Sequence, residues 1–108
     1  MEEELEITVK ELKRLIDSGT QIRLIDVREQ HEYNFCHIEG STLIPLRHIA
    51  TRVNELDPES EYVFYCHVGE RSAWAVNFLR QHGFQKVKNL KGGIDQWAFE
   101  IDPSMPRY

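Results

Sequence analysis

Cys66 is the residue in this sequence best suited to covalent chemistry. It follows an apolar run, Tyr62 to Tyr65, that predicts a buried strand, and it opens the loop Cys66-His67-Val68-Gly69-Glu70-Arg71 before a helix predicted from Ser72 to His82. The first amide N–H groups of a helix lack internal partners, and with the helix dipole they attract an anion. We therefore predict that Cys66 is a catalytic sulfur nucleophile that ionises more readily than a free cysteine.

Two further residues of this loop fit the same chemistry. Gly69 allows a backbone conformation that a residue with a β-carbon resists, and Arg71 places a permanent positive charge and a forked donor near the sulfur. The alternative is a buried structural cysteine, because free cysteine is among the most buried residue types. The polar, glycine-containing segment and the helix start that follow Cys66 favour the reactive thiol.

The elements that would position the loop alternate between helix and strand. Thr8 and Glu11 form a capping box for a first helix, which Gly19 ends. Strand-like and helix-like segments then follow in turn, and they predict an α/β domain with a mostly parallel sheet. The predicted segments are a strand over 22–27, a short helix or turn over 29–35, a strand over 42–46, a helical face over 49–56, a strand over 87–90 and a helix over 94–99.

Size and composition restrict the function classes. The chain has 108 residues, which is typical of one domain, and a formal net charge of −5. Scattered basic residues and this negative charge argue against nucleic-acid binding and against docking on an anionic membrane. No apolar run approaches the length of a membrane span and no signal peptide is visible, so we expect a soluble, cytoplasmic protein. Two cysteines without a CxxC pair and five scattered histidines predict neither a disulfide scaffold, nor a metal site, nor a cofactor.

Four motifs in order along the chain resemble the signatures of the rhodanese-like domain family, the single-domain sulfurtransferases. The resemblance covers nearly the whole chain, residues 1–108, and the four motifs occur at suitable spacing. They are Leu24-Ile25-Asp26-Val27-Arg28 with Glu29, Glu32 and Tyr33; His37-Ile38-Glu39-Gly40 with Ile44-Pro45-Leu46; Cys66-His67-Val68-Gly69-Glu70-Arg71-Ser72; and Leu90-Lys91-Gly92-Gly93-Ile94 with Trp97.

The resemblance implies both a fold and a mechanism. The fold is a five-stranded, mostly parallel sheet flanked by helices on both faces. The Cys66 thiolate would take the outer sulfur of a donor such as thiosulfate and pass it, as a persulfide, to cyanide in an assay or to a thiol or protein in the cell. The terminal sulfur would rest among the N–H groups of the active-site loop, Arg71 would orient the anionic donor and His67 would line the rim. The loop comprises His67, Val68, Gly69, Glu70, Arg71 and Ser72 beside Cys66.

Two other functions stay open at this point. A related branch of the fold, the Cys-dependent phosphatases and arsenate reductases, uses Cys-X5-Arg, whereas Cys66 and Arg71 are separated by only four residues. The shorter spacing favours sulfur over a tetrahedral oxyanion. A non-enzymatic or redox-sensing interaction module is the other alternative, and the presence of Cys66 weakens it.

Several other polar residues invite a functional role. We interpret Asp26 and Arg28 as a structural ion pair and His37 as a structural residue of the second motif. Glu70 places a negative charge in a loop meant for anions, which counts against thiosulfate as the preferred donor. Cys36 stands where the family usually has glycine; it is either a small apolar filler or a cysteine that resolves the Cys66 persulfide.

The last predictions concern the aromatic residues and the tail. Trp74 and Trp97 fit helix faces and are predicted to lie in the core. Residues 101–108 have turn chemistry without a helical period and are predicted to form an extended tail. This segment resembles the end of rhodanese domains that are fused to the adenylating enzymes of small sulfur-carrier proteins.

Overall fold

The fold is a five-stranded, all-parallel sheet with helices packed on it, as seen in a computed structural model that describes residues 5–108. The strands lie in the order β1-β5-β4-β2-β3. Along the chain the elements are β1 (Glu6–Ile7), α1 (Val9–Asp17), β2 (Arg23–Asp26), α2 (Gln30–Phe35), β3 (Thr42–Leu43), α3 (Ile49–Arg52), β4 (Tyr62–Tyr65), α4 (Glu70–Arg80), β5 (Val87–Leu90) and α5 (Gly93–Glu100). The predicted α/β class and the parallel sheet are confirmed.

The central strand β4 separates two hydrophobic clusters, because successive side chains of a strand point to opposite faces. Tyr62 and Phe64 pack in a cluster with residues of α3 and α4, such as Ile49 and Leu79. Val63 and Tyr65 pack in the other cluster with residues of α1 and α5, such as Leu12, Ile94 and Trp97. All four side chains of β4 are buried, which agrees with its aromatic and β-branched composition.

The carboxyl ends of β2, β4 and β5 lie side by side at one edge of the sheet. Asp26 pairs with Tyr65 in register, and Phe64 pairs with Asn89, so the chain leaves the three strands at neighbouring points. This edge is where ligand sites lie in open α/β sheets. Cys66 directly follows β4 and is therefore placed at that edge.

Helix boundaries follow the predicted patterns with a few differences. The capping box of Thr8 and Glu11 is present at the start of α1, and α4 starts at Glu70, two residues before the predicted start. The predicted helical face over 49–56 forms one α-helical turn, α3, between two short 3-10 segments. The strand β1 has only two residues and was missed because so short a segment shows no periodicity.

The prediction that both tryptophans lie in the core is wrong for one of them. Trp97 is 7% exposed and belongs to the cluster on the α1 and α5 face, whereas Trp74 is 51% exposed. Trp74 stacks on Phe78, one helical turn away, with ring centroids 5.3 Å apart. Ala75 takes the buried position beside it instead, since a helix turns 100° per residue and Trp74 falls outside the buried stripe.

The start of α5 is packed directly against the loop that follows β4. The backbone N–H groups of Ile94 and Asp95 donate to the carbonyl oxygens of Cys66 and His67, at 2.9 and 3.0 Å. Gly93 has a φ of +62°, and a β-carbon there would lie 2.6 Å from the Cys66 carbonyl oxygen and would also overlap the His67 carbonyl. Only glycine permits this approach of two backbone segments.

We expect Gly93→Ala to lower the free energy of unfolding by about 3 kcal/mol, because backbone strain of ~1–2 kcal/mol adds to an overlap that costs ~1–3 kcal/mol. Gly83→Ala is the matched control: Gly83 also has a positive φ, +91°, yet a β-carbon there meets nothing within 4 Å. Urea denaturation of both variants measures the difference. Equal losses in the two variants would contradict the proposed close approach.

Candidate active site

The sulfur of Cys66 lies inside the predicted loop and accepts hydrogen bonds from its backbone. The N–H groups of Gly69 and Ser72 point to Sγ at 3.1 and 3.4 Å, and the Ser72 hydroxyl oxygen lies 3.3 Å away. Cys66 is 1% exposed, so the protein surrounds its sulfur almost completely. Three donors of the loop and of the start of α4 thus converge on one sulfur atom.

The backbone of the loop is shaped by Gly69 at the start of α4. Gly69 has a φ of +114°, a left-handed conformation that residues with a β-carbon rarely adopt. This turn directs the Gly69 N–H to the sulfur, while its carbonyl oxygen accepts a hydrogen bond from the Asn89 side chain at 3.1 Å. The predicted need for glycine at this position is confirmed.

Arg71 is paired with a carboxylate of a neighbouring helix. Its two terminal nitrogens donate to the two carboxylate oxygens of Glu32 at 2.8 and 3.1 Å. The hydrogen bonds from Arg71 lower the pKa of Glu32 to about 2, and those to Glu32 raise the pKa of Arg71. The predicted permanent charge of Arg71 is therefore balanced by Glu32.

The tail, residues 101–108, passes beside this ion pair and forms neither helix nor strand. The Tyr108 hydroxyl donates to Glu32 at 2.9 Å and accepts from Arg28 at 2.8 Å. The Tyr108 ring stacks on the His67 ring, with centroids 4.0 Å apart and an angle of 11° between their planes. Burial and the hydrogen bond to Glu32, opposed by Arg28, raise the pKa of Tyr108 to about 12, so it remains protonated.

Asp26 and Arg28 form the predicted structural ion pair, and both are fully buried. The Arg28 guanidinium donates to both oxygens of Asp26, to the carbonyl oxygen of Cys36 at 2.6 Å and to Tyr108. Burial alone would lower the pKa of Arg28, but the hydrogen bonds to Asp26 and Tyr108 raise it above its usual value. Arg28 thus connects β2, the end of α2 and the tail.

The other predicted loop residues lie toward the surface. Val68 is 50% exposed, and Glu70 is an exposed residue in the first turn of α4. His67 is half-buried under Tyr108, and its ring Nε2 is buried without a hydrogen-bond partner among the described residues. Together with Cys66, Gly69, Arg71 and Ser72, these residues complete the predicted loop.

Cys36 and His37 lie outside the immediate surroundings of the sulfur. The Cys36 thiol lies 3.5 Å from the carbonyl oxygen of Pro106 in the tail, and both cysteines are free. The His37 ring stacks on Tyr33, with centroids 3.9 Å apart, and its Nδ1 lies 2.9 Å from the Tyr33 carbonyl oxygen. These contacts agree with a structural role for His37, while the resolving role of Cys36 stays a prediction.

Three residues of the site carry contacts that the sequence did not predict. The sequence did not indicate the contacts of Glu32 and Tyr108, because the residues that they contact lie in distant segments of the chain. The position of Asn89 did give a signal: it lies on the same face of β5 as the apolar Val87, and a buried polar side chain needs a hydrogen-bond partner. It is 5% exposed and reaches Ser72 and the Gly69 carbonyl.

Residues 5–108 contain no group of three or more histidine, cysteine, aspartate or glutamate side chains placed to hold a metal ion. No helix within that range is long and apolar enough to cross a membrane.

We expect Glu32→Gln to destabilise the protein in a pH-dependent way. The pKa of Glu32 falls from 4.5 to about 2 on folding, so its stabilising contribution is complete above 4.5 and disappears as the pH falls toward 2. At neutral pH the loss should be about 1–2 kcal/mol, since solvent screens the partly exposed Arg71. Unfolding free energies between pH 2 and 7 measure it, with Glu55→Gln, which breaks an exposed pair with Arg52, as control. A difference between wild type and Glu32→Gln that does not shrink toward low pH would contradict the assignment.

Comparison with known proteins shows which family this chain resembles. Residues 8–100 match the rhodanese-like domain. The chain is 38% identical over 93 residues to the putative sulfur carrier protein YrkF of Bacillus subtilis, covering 86% of this chain and 50% of YrkF. It is also 38% identical over 104 residues to the probable adenylyltransferase/sulfurtransferase MoeZ of Mycobacterium tuberculosis, covering 94% of this chain and 26% of MoeZ. The chain thus spans half or less of these relatives.

The solved structures show the same fold. A rhodanese-related protein from Thermoplasma volcanium superimposes with a TM-score of 0.81 at 32% sequence identity, covering 89% of this chain and 92% of that one. The match of residues 8–100, the all-parallel sheet and the loop around Cys66 agree with one another. This chain belongs to the rhodanese-like domain family.

Proposed function

We propose that this protein moves a sulfane sulfur from a small anionic donor such as thiosulfate, through a persulfide on Cys66, to a thiophilic acceptor. The acceptor would be cyanide in an assay and a thiol or a protein in the cell. The observation that carries the proposal is the position of the Cys66 sulfur. It accepts hydrogen bonds from the backbone N–H groups of Gly69 and Ser72 at 3.1 and 3.4 Å, inside a loop with the four-residue spacing that resembles the rhodanese signature. MoeZ, described as a probable sulfurtransferase, has the same kind of domain.

The reaction consists of two displacements at sulfur. The Cys66 thiolate attacks the outer sulfur of thiosulfate, an S–S bond forms, and sulfite leaves with the electron pair of the broken bond. The acceptor nucleophile then attacks the terminal sulfur of the persulfide, and the Cys66 thiolate is the leaving group. The thiolate carries its negative charge on Sγ and the persulfide carries it on the outer sulfur, and inward-pointing amides of the loop can stabilise both.

The small size of the cradle favours sulfur over phosphate. Only four residues separate Cys66 from Arg71, so the loop brings fewer backbone N–H groups around the sulfur than the longer Cys-X5-Arg loop of the phosphatases. A tetrahedral phosphate carries several oxygens that each need a donor. A Cys-dependent phosphatase is therefore the weaker alternative.

Arg71 contributes to donor binding although Glu32 occupies part of its guanidinium. Two of its five N–H groups point to Glu32, and its side chain is 37% exposed at the rim of the loop. The remaining N–H groups of Arg71 can face an anion that approaches the sulfur. Glu32 fixes the orientation of the guanidinium, which reduces the entropy lost when a sulfur donor such as thiosulfate binds.

The proposal also specifies the compartment and the class of partner. A persulfide cycle needs a free thiol, and both cysteines are free, which suits a reducing compartment such as the cytoplasm. The formal net charge of −5 favours small-molecule or protein partners over nucleic acids and anionic membranes.

Incubation with thiosulfate should increase the mass of the intact protein by one sulfur atom, and cyanide should remove that mass as thiocyanate. We expect Cys66→Ala to abolish both the mass increase and thiocyanate formation, because no other thiol lies in the loop. Intact-mass spectrometry and a colorimetric thiocyanate assay measure the two steps. Cys36→Ser is the control and should retain both.

Three results would contradict this proposal. Unchanged sulfur transfer by Cys66→Ala would show that the nucleophile is wrong. Turnover of an aryl phosphate at a rate that rivals sulfur transfer would favour the phosphatase. The absence of both activities, and of the mass increase, would favour an interaction module.

Arg71→Gln should raise the KM for thiosulfate about tenfold with a smaller effect on kcat, since a lost charge-assisted contact of ~1.4 kcal/mol corresponds to that factor. Arg52→Gln is a matched control: Arg52 is 38% exposed and is also paired with a glutamate, Glu55. Steady-state kinetics with varied thiosulfate provide the measurement. An equal KM for wild type and Arg71→Gln would remove Arg71 from donor binding.

A further inference from the structure

We propose that Asn89 is a positioning residue that competes with the Cys66 sulfur for the hydroxyl proton of Ser72 and so opposes formation of the thiolate. This inference deepens the proposed function and rests on it only for the role of Cys66. Asn89 is 5% exposed and Ser72 is fully buried, and the hydrogen bonds of this group connect side chains and backbone of the loop and β5.

The orientation of the Asn89 amide follows from its two partners. Its Nδ2 lies 3.1 Å from the carbonyl oxygen of Gly69, which can only accept. Its Oδ1 therefore faces the Ser72 hydroxyl oxygen, at 2.5 Å. A carbonyl oxygen cannot donate, so the hydrogen atom of this short contact belongs to Ser72.

The Ser72 hydroxyl has two acceptors and one proton. Its oxygen lies 3.3 Å from the Cys66 sulfur and 2.5 Å from the Asn89 oxygen. When the proton points to Asn89, the Ser72 oxygen presents a lone pair to the sulfur, which suits a protonated thiol that donates S–H. When the proton points to the sulfur, Asn89 loses a donor, and an unsatisfied buried oxygen costs free energy.

The competition gives the thiolate a hydrogen-bond pattern that differs from that of the thiol and the persulfide. The thiol leaves the Ser72 proton on Asn89, and the thiolate draws it to the sulfur. In the persulfide the negative charge moves to the outer sulfur, so the Ser72 proton can return to Asn89. Asn89 thereby favours the thiol and the persulfide over the free thiolate and retains bound sulfur until an acceptor attacks.

Other charged and titratable groups around the sulfur stay unchanged when Asn89 or Ser72 is replaced. They come from the loop, from α2, from the end of β2, from α5 and from the tail. They are His67, Glu70, Arg71, Glu32, Asp26, Arg28, Asp95 and Tyr108. A difference between variants in the ionisation of Cys66 therefore reports the Ser72 and Asn89 hydrogen bonds.

The test is a pH titration of the thiolate, followed as the ultraviolet absorbance of each variant minus that of the same variant with Cys66→Ala. Asn89→Leu, which has nearly the same shape and no acceptor, should shift the midpoint down by about one pH unit, a tenfold change in the ionisation constant. Asn77→Leu, at an exposed asparagine of α4, should leave the midpoint unchanged. The measurement needs no sulfur donor, so it succeeds or fails independently of sulfur transfer.

Ser72→Ala supplies the second half of the test. It should raise the midpoint, and in its presence Asn89→Leu should have no further effect, because the shared proton is gone. If Asn89 only supports the loop through Gly69, Asn89→Leu loosens the amides around the sulfur and the midpoint rises instead. A rise, or a shift that persists in the Ser72→Ala background, would overturn the proposal.

The wild-type protein offers a test that does not depend on the folding of a variant. The side-chain amide resonances of Asn89, followed by NMR, should shift with the same midpoint as the thiolate absorbance. A resonance that does not move as Cys66 ionises would also overturn the proposal.

Discussion

Two hydrogen bonds between α5 and the loop after β4 determine how the backbone of the loop is oriented around the Cys66 sulfur. The N–H groups of Ile94 and Asp95 hold the carbonyl oxygens of Cys66 and His67, at 2.9 and 3.0 Å, and Gly93 allows the two backbones to meet. A carbonyl oxygen that pointed to the sulfur would repel a thiolate. Because these carbonyls are held on the other side, the following amides are free to turn inward, and those of Gly69 and Ser72 point to Sγ.

A chain of polar contacts around the loop controls its charge. It runs from the buried Asp26 through Arg28 and Tyr108 to Glu32, and ends at Arg71 at the rim. Each cation in this chain faces an anion, so the charges of Arg28 and Arg71 are balanced locally by Asp26 and Glu32. The tail takes part in this chain through Tyr108, which makes residues 101–108 a structural part of the site.

The elements of the fold were predictable wherever a local pattern specified them. The capping box at Thr8 placed the start of α1, and the run from Tyr62 to Tyr65 placed β4, because propensity and burial agree in both segments. The two-residue strand β1 was missed, since its conformation depends on pairing with β5. The burial of Trp74 was wrongly predicted, because spacing alone does not distinguish an apolar residue beside the buried stripe of a helix from one within it.

The sequence by itself determined the nucleophile candidate, the length of its loop and the need for glycine, because these properties lie within seven consecutive residues. Only the tertiary structure decided which donors reach the sulfur, that Glu32 neutralises Arg71, and that Asn89 and the sulfur share one hydroxyl proton. These contacts join segments between 6 and 39 positions apart. Packing of the sheet brings them together, and no local pattern records which distant residue will complete a hydrogen bond.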